Sequence, residues 1–168
     1  MKELFKKYRE IIVYIIVGLM TTAVSYGIRL GVIYGFAPVL GIDLEADAGR
    51  AAILRTVAVT AGWVAGVIFA FFTNKAWVFQ DKVSGKRAVL VQFGEFTLSR
   101  LFTYFIEWGL GVGVPALLTA LGYKPFKIIL TFDADLIATG ISVVLVTILN
   151  YILSKLLVFK KKKENLQR

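Results

Sequence analysis

The sequence predicts an all-α membrane protein of four transmembrane helices, arranged as two helical hairpins that repeat one another. Three observations predict it. Of 168 residues, 58% are hydrophobic and 18% charged, whereas an ordinary soluble domain is roughly 45 to 50% apolar. The apolar residues fall in four runs, each long enough to cross roughly 30 Å of hydrocarbon. One short stretch is also written twice, FTNKAWVF at 72–79 and ILSKLLVF at 152–159, an offset of 80 residues. In both copies a lysine follows Asn or Ser (Asn74-Lys75, Ser154-Lys155), and Val-Phe follows three residues later. An apolar helix ending in lysine and aromatic residues is what a span looks like where hydrocarbon meets headgroups. The whole chain, 1–168, therefore reads as a single membrane domain, with one repeat over about 11–79, a second over about 93–159, and a basic tail at 160–168.

The first span, Ile11–Tyr34, follows a flank carrying Lys2, Lys6, Lys7 and Arg9. Ala23-Val24-Ser25 has the small-x-small form of a signal-peptide cleavage site, but the apolar run continues past it and is too long for a signal h-region. A loop from Gly35 to about Arg50 contains Pro38 and the acids Asp43, Glu45 and Asp47. In the second span, Ala51–Phe72, the residues Gly62, Gly66, Ala70 and Asn74 recur every four positions, a narrow stripe where another helix or a lipid chain can approach closely. A short basic segment at 80–92 leads to the third span, Phe93–Leu118, in or near which lie Glu95, Arg100 and Glu107. Arg100, Thr103, Tyr104 and Glu107 follow the i, i+3, i+4, i+7 spacing of one helix face. Pro115, Gly122 and Pro125 are expected to end this span. Asp133 and Asp135 introduce the fourth, Leu136–Val158, with Thr147, Asn150 and Ser154 on one polar face, and Lys160–Lys163 close it.

Lys and Arg crowd the N-terminal flank, the middle loop and the C-terminal end, whereas the other two loops hold Arg50, Lys124 and Lys127 beside five acids. The positive-inside rule then puts both termini and the middle loop in the cytoplasm, with the chain multi-pass in the cytoplasmic membrane. Two halves that both start and end inside are parallel repeats about an axis along the membrane normal. The net charge of +9 lies in these flanks, which points to anionic lipids rather than nucleic acid. The chain has no Cys and no His, which removes disulfides, thiolate chemistry and the commonest metal ligands. No cofactor or metal site is expected, and no nucleophile and base pair is visible, so the chain does not read as an enzyme.

Charges at membrane depth persist where they are paired or used. Glu107 falls near the midplane, where it is either a structural partner of Arg100 or a neighbouring helix, or a polar lining or proton-coupled acid. Arg29 and Arg55 are expected toward the outer side; snorkelling accounts for Arg29, while adding the repeat offset to Arg55 lands on Asp135 and suggests a salt bridge between equivalent positions. Lys75 and Lys155 are interfacial anchors or, with Asn74, Asn150 and Ser154, a phosphate-collecting set at the inner headgroup level. Trp77 and Phe79 are belt aromatics or a platform for a sugar ring.

The FTNKAWVF stretch resembles the signature that ends the second helix of the GtrA-like membrane protein family. The opening Val17-Gly18 followed by Thr21 and Thr22 resembles that family's first-helix pattern, and Asn150 to Phe159 resembles its fourth-helix end. Leu157 stands where the first copy has Trp77, so the two copies do not share that ring. The resemblance spans 11–160. It implies a four-helix protein of the cytoplasmic membrane, associated with cell-surface polysaccharide synthesis, that moves a polyprenyl-phosphate-linked sugar to the outer leaflet, where a membrane glycosyltransferase uses it. A groove lined by Arg100, Tyr104, Glu107, Asn74 and Asn150, with Gly62 and Gly66 leaving room for the prenyl tail, would serve. Capture would fall to Lys75, Arg100 and Lys155, and release would fall near Arg29 and Arg55. No ATP-binding loop is present, so product removal or protons through Glu107 would supply the energy. Four short helices make a thin wall around such a cargo, which points to a homo-oligomer. Two other readings stand beside this one. A non-transporting anchor for a glycosyltransferase is the first; a small multidrug-type exporter is the second, against which the strong charge bias and the lack of a first-span glutamate argue.

Overall fold

The computed structural model describes residues 2–127 and 131–159, the side chains of 2–7 and 126–132 apart. The lysine run 160–163 and the rest of the tail lie outside the described residues. Four α-helices dominate: α1 Lys2–Val39, α2 Ala48–Thr73, α3 Lys86–Ala120 and α4 Ala134–Leu153. All four are long and apolar enough to cross a membrane. A two-residue antiparallel bridge between Phe126–Lys127 and Thr131–Phe132 leaves the class unchanged. The chain divides into two compact units, Met1–Lys82 and Val83–Arg168. Each is a hairpin with an open end, where its chain enters and leaves, and a turn end.

The helices outrun the apolar runs that announced them. Pro38 and Pro115 lie inside α1 and α3 rather than beyond them. A proline removes one backbone donor and crowds the preceding turn, but Pro38 sits in the final turn of α1, where the bond ladder is already ending. The stop in α1 comes from Gly41 (φ 59°), with Leu40 N donating to Phe36 O at 2.9 Å, a left-handed residue closing the last turn. Gly122 (φ 72°) does the same after α3. Both returning helices open on an aspartate cap: the Asp47 carboxylate accepts from Arg50 N at 3.1 Å and that of Asp133 from Leu136 N at 2.8 Å. Each cap satisfies a backbone donor that α2 or α4 leaves unpaired.

In the first unit, α1 and α2 pack through the small-residue stripe. A Cβ on Gly62 would lie 2.6 Å from the Ser25 carbonyl oxygen, and one on Gly66 would meet Ser25 Oγ. Gly62, Gly66, Ala70 and Asn74 are all buried. Tyr14 and Val17 of α1 are buried with them. The second unit keeps the same plan with different chemistry. Phe96, Ser99 and Thr103 of α3 are buried and stand 82 residues after Tyr14, Val17 and Thr21. Their seam is polar: Thr103 Oγ1 donates to Asn150 Oδ1 at 2.9 Å, and Ser142 and Ser154 of the returning segment are buried. Without water in hydrocarbon, such hydroxyls turn to the preceding helix turn. Thr21 donates to Val17 O at 2.8 Å, and Ser99 to Phe96 O at 2.7 Å.

Both returning helices finish in the same uncommon way. A π-turn covers Asn74–Val78 in the first unit and Ser154–Val158 in the second, closed by Phe79 N donating to Asn74 O at 2.9 Å and Phe159 N to Ser154 O at 2.8 Å. The stretch that the sequence writes twice is thus a duplicated π-turn, and π-turns concentrate at functional sites.

Candidate functional site

The candidate site is built at the open end of each unit, around the π-turn, and continues into the span along the second unit's seam. Widening a helix by one residue per turn leaves carbonyls that no following N–H meets, and a side chain from the first helix of each hairpin meets one of them. In the first unit Arg9 donates to Trp77 O at 3.4 Å; its guanidinium also lies 2.9 Å from the Gln80 carboxamide oxygen when that amide faces it. In the second unit Gln92 Nε2 donates to Val158 O at 3.2 Å. Sequence reasoning weighed Arg9 only as a topogenic charge and Gln92 not at all.

The opening residue of each π-turn is a buried polar group short of a partner. Asn74, 2% exposed, donates from Nδ2 to Ala70 O at 2.7 Å, while its Oδ1 accepts nothing from the described residues. Ser154, fully buried, likewise has no partner for Oγ among the described residues, and neither does Ser142 Oγ. Leaving a buried polar atom unmet costs about 1 to 3 kcal/mol. Two such atoms at the same place in both copies mark these positions as more than helix filler.

The two repeat lysines differ. Lys75 Nζ lies 2.5 Å from Asp81 Oδ2, with side chains only 13% and 12% exposed. Lys155 is exposed; it donates to the Tyr151 hydroxyl at 2.9 Å and lies 5.2 Å from that ring's centroid. The first ammonium is thus held beside a carboxylate of its own unit, and the second stands at an exposed surface. Trp77 is exposed and Phe79 buried, so only the first of the two aromatics presents a face outward.

Along the third helix the predicted polar face divides. Thr103 is buried in the seam, Arg100 is half-buried, and Tyr104 and Glu107 are exposed. The Arg100 guanidinium stacks on Phe96, 4.5 Å from the ring centroid, because side chains on a helix lean toward its N-terminus. It therefore turns away from Glu107, and among the described residues no ion pair joins the two. The Thr103–Asn150 bond sets depth: Glu107, one turn further on, stands level with Val146, the middle of the apolar run Ala134–Val158. On α4, Asn150 is half-buried and Thr147 exposed, so Thr147 does not share the buried face of Ser154.

At the turn end of the first unit, Arg55 donates to Leu44 O at 3.1 Å and Arg50 to Leu40 O at 2.8 Å; both arginines fasten the 40–47 loop of their own hairpin. Asp43 stitches the same loop by accepting from Ala46 N and Glu45 N, both at 2.9 Å. Those backbone donors, Ala46 first and Glu45 second, hold its carboxyl below the usual aspartate range against a small opposing effect of desolvation. Arg29 lies far deeper than a release position at the turn end, beside Gly62, with its guanidinium carbon 5.8 Å from the Tyr26 ring centroid.

Comparison with known proteins bears on what this arrangement does. The family model described as the GtrA/DPMS transmembrane domain matches residues 13–159. A Bacillus subtilis (strain 168) protein, called an uncharacterized membrane protein YwcD, is 28% identical over 151 residues, covering 90% of this chain and 97% of the relative. The cell wall teichoic acid glycosylation protein GtcA of Listeria innocua serovar 6a is 31% identical over 107 residues, 64% of this chain and 65% of the relative. No solved structure matches.

Proposed function

Because the chain belongs to the GtrA/DPMS transmembrane family, we propose that it is a carrier, not an enzyme, that moves a polyprenyl-phosphate-linked sugar across the cytoplasmic membrane for glycosylation of a cell-surface polymer. Both termini and the π-turns face the cytoplasm in this reading, which the distribution of Lys and Arg supports. A cell-wall glycosylation role is what the name of the Listeria relative states for that protein.

The observation that carries the reading is the second unit's ladder of polar groups at successive depths. Lys155 stands at the open end, followed by Arg100, the Thr103–Asn150 pair and Ser142. Exposed Phe102, Phe105 and Trp108 stand on the same helix as Arg100 and Thr103. A lipid-linked sugar asks for this combination: cations and hydrogen bonds for phosphate and hydroxyls, and open hydrocarbon surface for the prenyl chain. Lys155 and Arg100 take the phosphate at the cytoplasmic side, and the half-buried Asn150, whose Oδ1 is taken by Thr103, offers its amide N–H groups to the sugar hydroxyls. A membrane glycosyltransferase draws the product off outside, and its removal sets the direction.

Native mass spectrometry of the protein extracted with its own lipids tests the reading. A retained polyprenyl-phosphate sugar is the expected adduct; extraction with bulk phospholipid alone, in preparations that keep the fold, refutes it in favour of an anchoring role.

A further inference from the structure

We propose that Arg29 is a mid-span anion site that holds the phosphate of the lipid-linked cargo between the two headgroup layers. The inference rests on the carrier reading and adds to it an anion site within the first unit. Packing sets the depth: the Arg29 Cβ lies 3.5 Å from where a Cβ on Gly62 would stand, and Gly62 is near the centre of the 31-residue apolar run Ala48–Val78. At about 1.5 Å per residue, Gly62 is about 18 Å along the helix from Arg50 and about 20 Å from Lys75.

The side chain does not escape that depth. A snorkelling arginine near the turn end would stretch toward Val39, where α1 finishes. Arg29 folds back instead, over Tyr26, one turn nearer the open end. A guanidinium is permanently charged and offers five N–H donors in a planar fork. Arg9, Arg50 and Arg55 all donate to oxygens of the first unit. Arg29 alone among that unit's arginines makes no hydrogen bond or ion pair among the described residues; its contact is the tyrosine ring, which leaves the fork open. A charge at this depth is retained where something pairs with it, and the fork matches the oxygens of a phosphate two at a time.

The test uses the full chain, purified in detergent and then reconstituted. Wild-type protein is melted empty, with a polyprenyl phosphate, and with the neutral polyprenol of equal length; the phosphate is expected to raise the melting temperature beyond the alcohol. Arg29→Gln is expected to melt no lower than wild type when empty, to lose the phosphate-specific shift, and to translocate labelled lipid-linked sugar in liposomes about tenfold more slowly, the loss of one charged hydrogen bond. Arg29→Lys, which keeps the charge without the fork, is expected to retain part of both. A phosphate-specific shift that survives in Arg29→Gln overturns the Arg29 site and leaves the carrier reading standing. An empty Arg29→Gln protein that melts far below wild type identifies a structural ion pair and overturns it too. Wild-type protein without any phosphate-specific shift overturns both.

Discussion

Replacing Gly62 by alanine puts a methyl carbon 2.6 Å from the Ser25 carbonyl oxygen, and 3.5 Å from the Arg29 Cβ. The obstructing atom is backbone in the middle of a continuous helix, so α1 and α2 must separate locally. Overpacking of this kind costs about 1 to 3 kcal/mol, while alanine returns about 1 kcal/mol of helix propensity over glycine. With backbone as the obstacle the upper half of that range applies, and the expected balance is a loss of about 1 to 2 kcal/mol. Gly66→Ala supplies the internal control: its methyl group would meet the Ser25 hydroxyl, the end of a side chain that can rotate away, so the balance should fall near zero. Gly18→Ala, where nothing among the described residues lies within 4 Å, should keep the propensity gain and stabilise by up to about 1 kcal/mol. Unfolding in mixed micelles titrated with a denaturing detergent ranks the three. If Gly62→Ala equals wild type, or Gly66→Ala is the worse of the pair, the close approach of α1 and α2 is not what holds this hairpin.

The Lys75–Asp81 pair is nearly buried, so Asp81→Ala, which takes away the carboxylate beside that ammonium, should destabilise by up to about 3 kcal/mol, while the double change Lys75→Met with Asp81→Leu should recover most of it; the same unfolding titration reads both. Asp43 binds its proton more weakly in the folded loop than in the unfolded chain, so its contribution to loop stability is present above the ordinary aspartate value, about 3.9, and is lost as pH falls through the lower folded value. Protection of the Ala46 and Glu45 amides, taken relative to their intrinsic exchange rates at each pH, should therefore fall only in acid, and Asp43→Ala should lack that protection at every pH.

Four spans, their order and the small-residue stripe were legible because apolar length and a four-residue spacing are properties of the sequence itself. The ends were less so. Composition stops α1 at Tyr34, but the backbone continues to Val39 because the 35–39 segment has no reason to stop until Gly41 turns left-handed. The duplicated stretch stood out, yet its π form did not: a π-turn differs from an α-turn by one hydrogen-bond register, and no residue type announces it. Arg100 and Glu107 share a spacing that places them on one side of a helix, but spacing says nothing of lean, and the Arg100 side chain runs back to Phe96. The offset of 80 aligned the returning helices and hid the alignment of the first ones, which needs 82 because Phe96 and Ser154 lie two residues closer along the chain than Tyr14 and Asn74; with it, Phe96, Ser99 and Thr103 emerge as the second unit's buried face. Arg29 was read from a span ending at Tyr34, whereas α1 runs ten residues beyond Arg29, to Val39.

Transbilayer movement in liposomes tests the central claim most directly. Purified protein is reconstituted with a labelled polyprenyl-phosphate sugar in both leaflets, and the label accessible from outside is followed with a reagent that cannot cross. The account predicts a second kinetic phase that drains the inner leaflet, fast in wild type and slowed by Arg100→Gln in the second unit. An inner pool that stays protected for as long as in protein-free liposomes contradicts it.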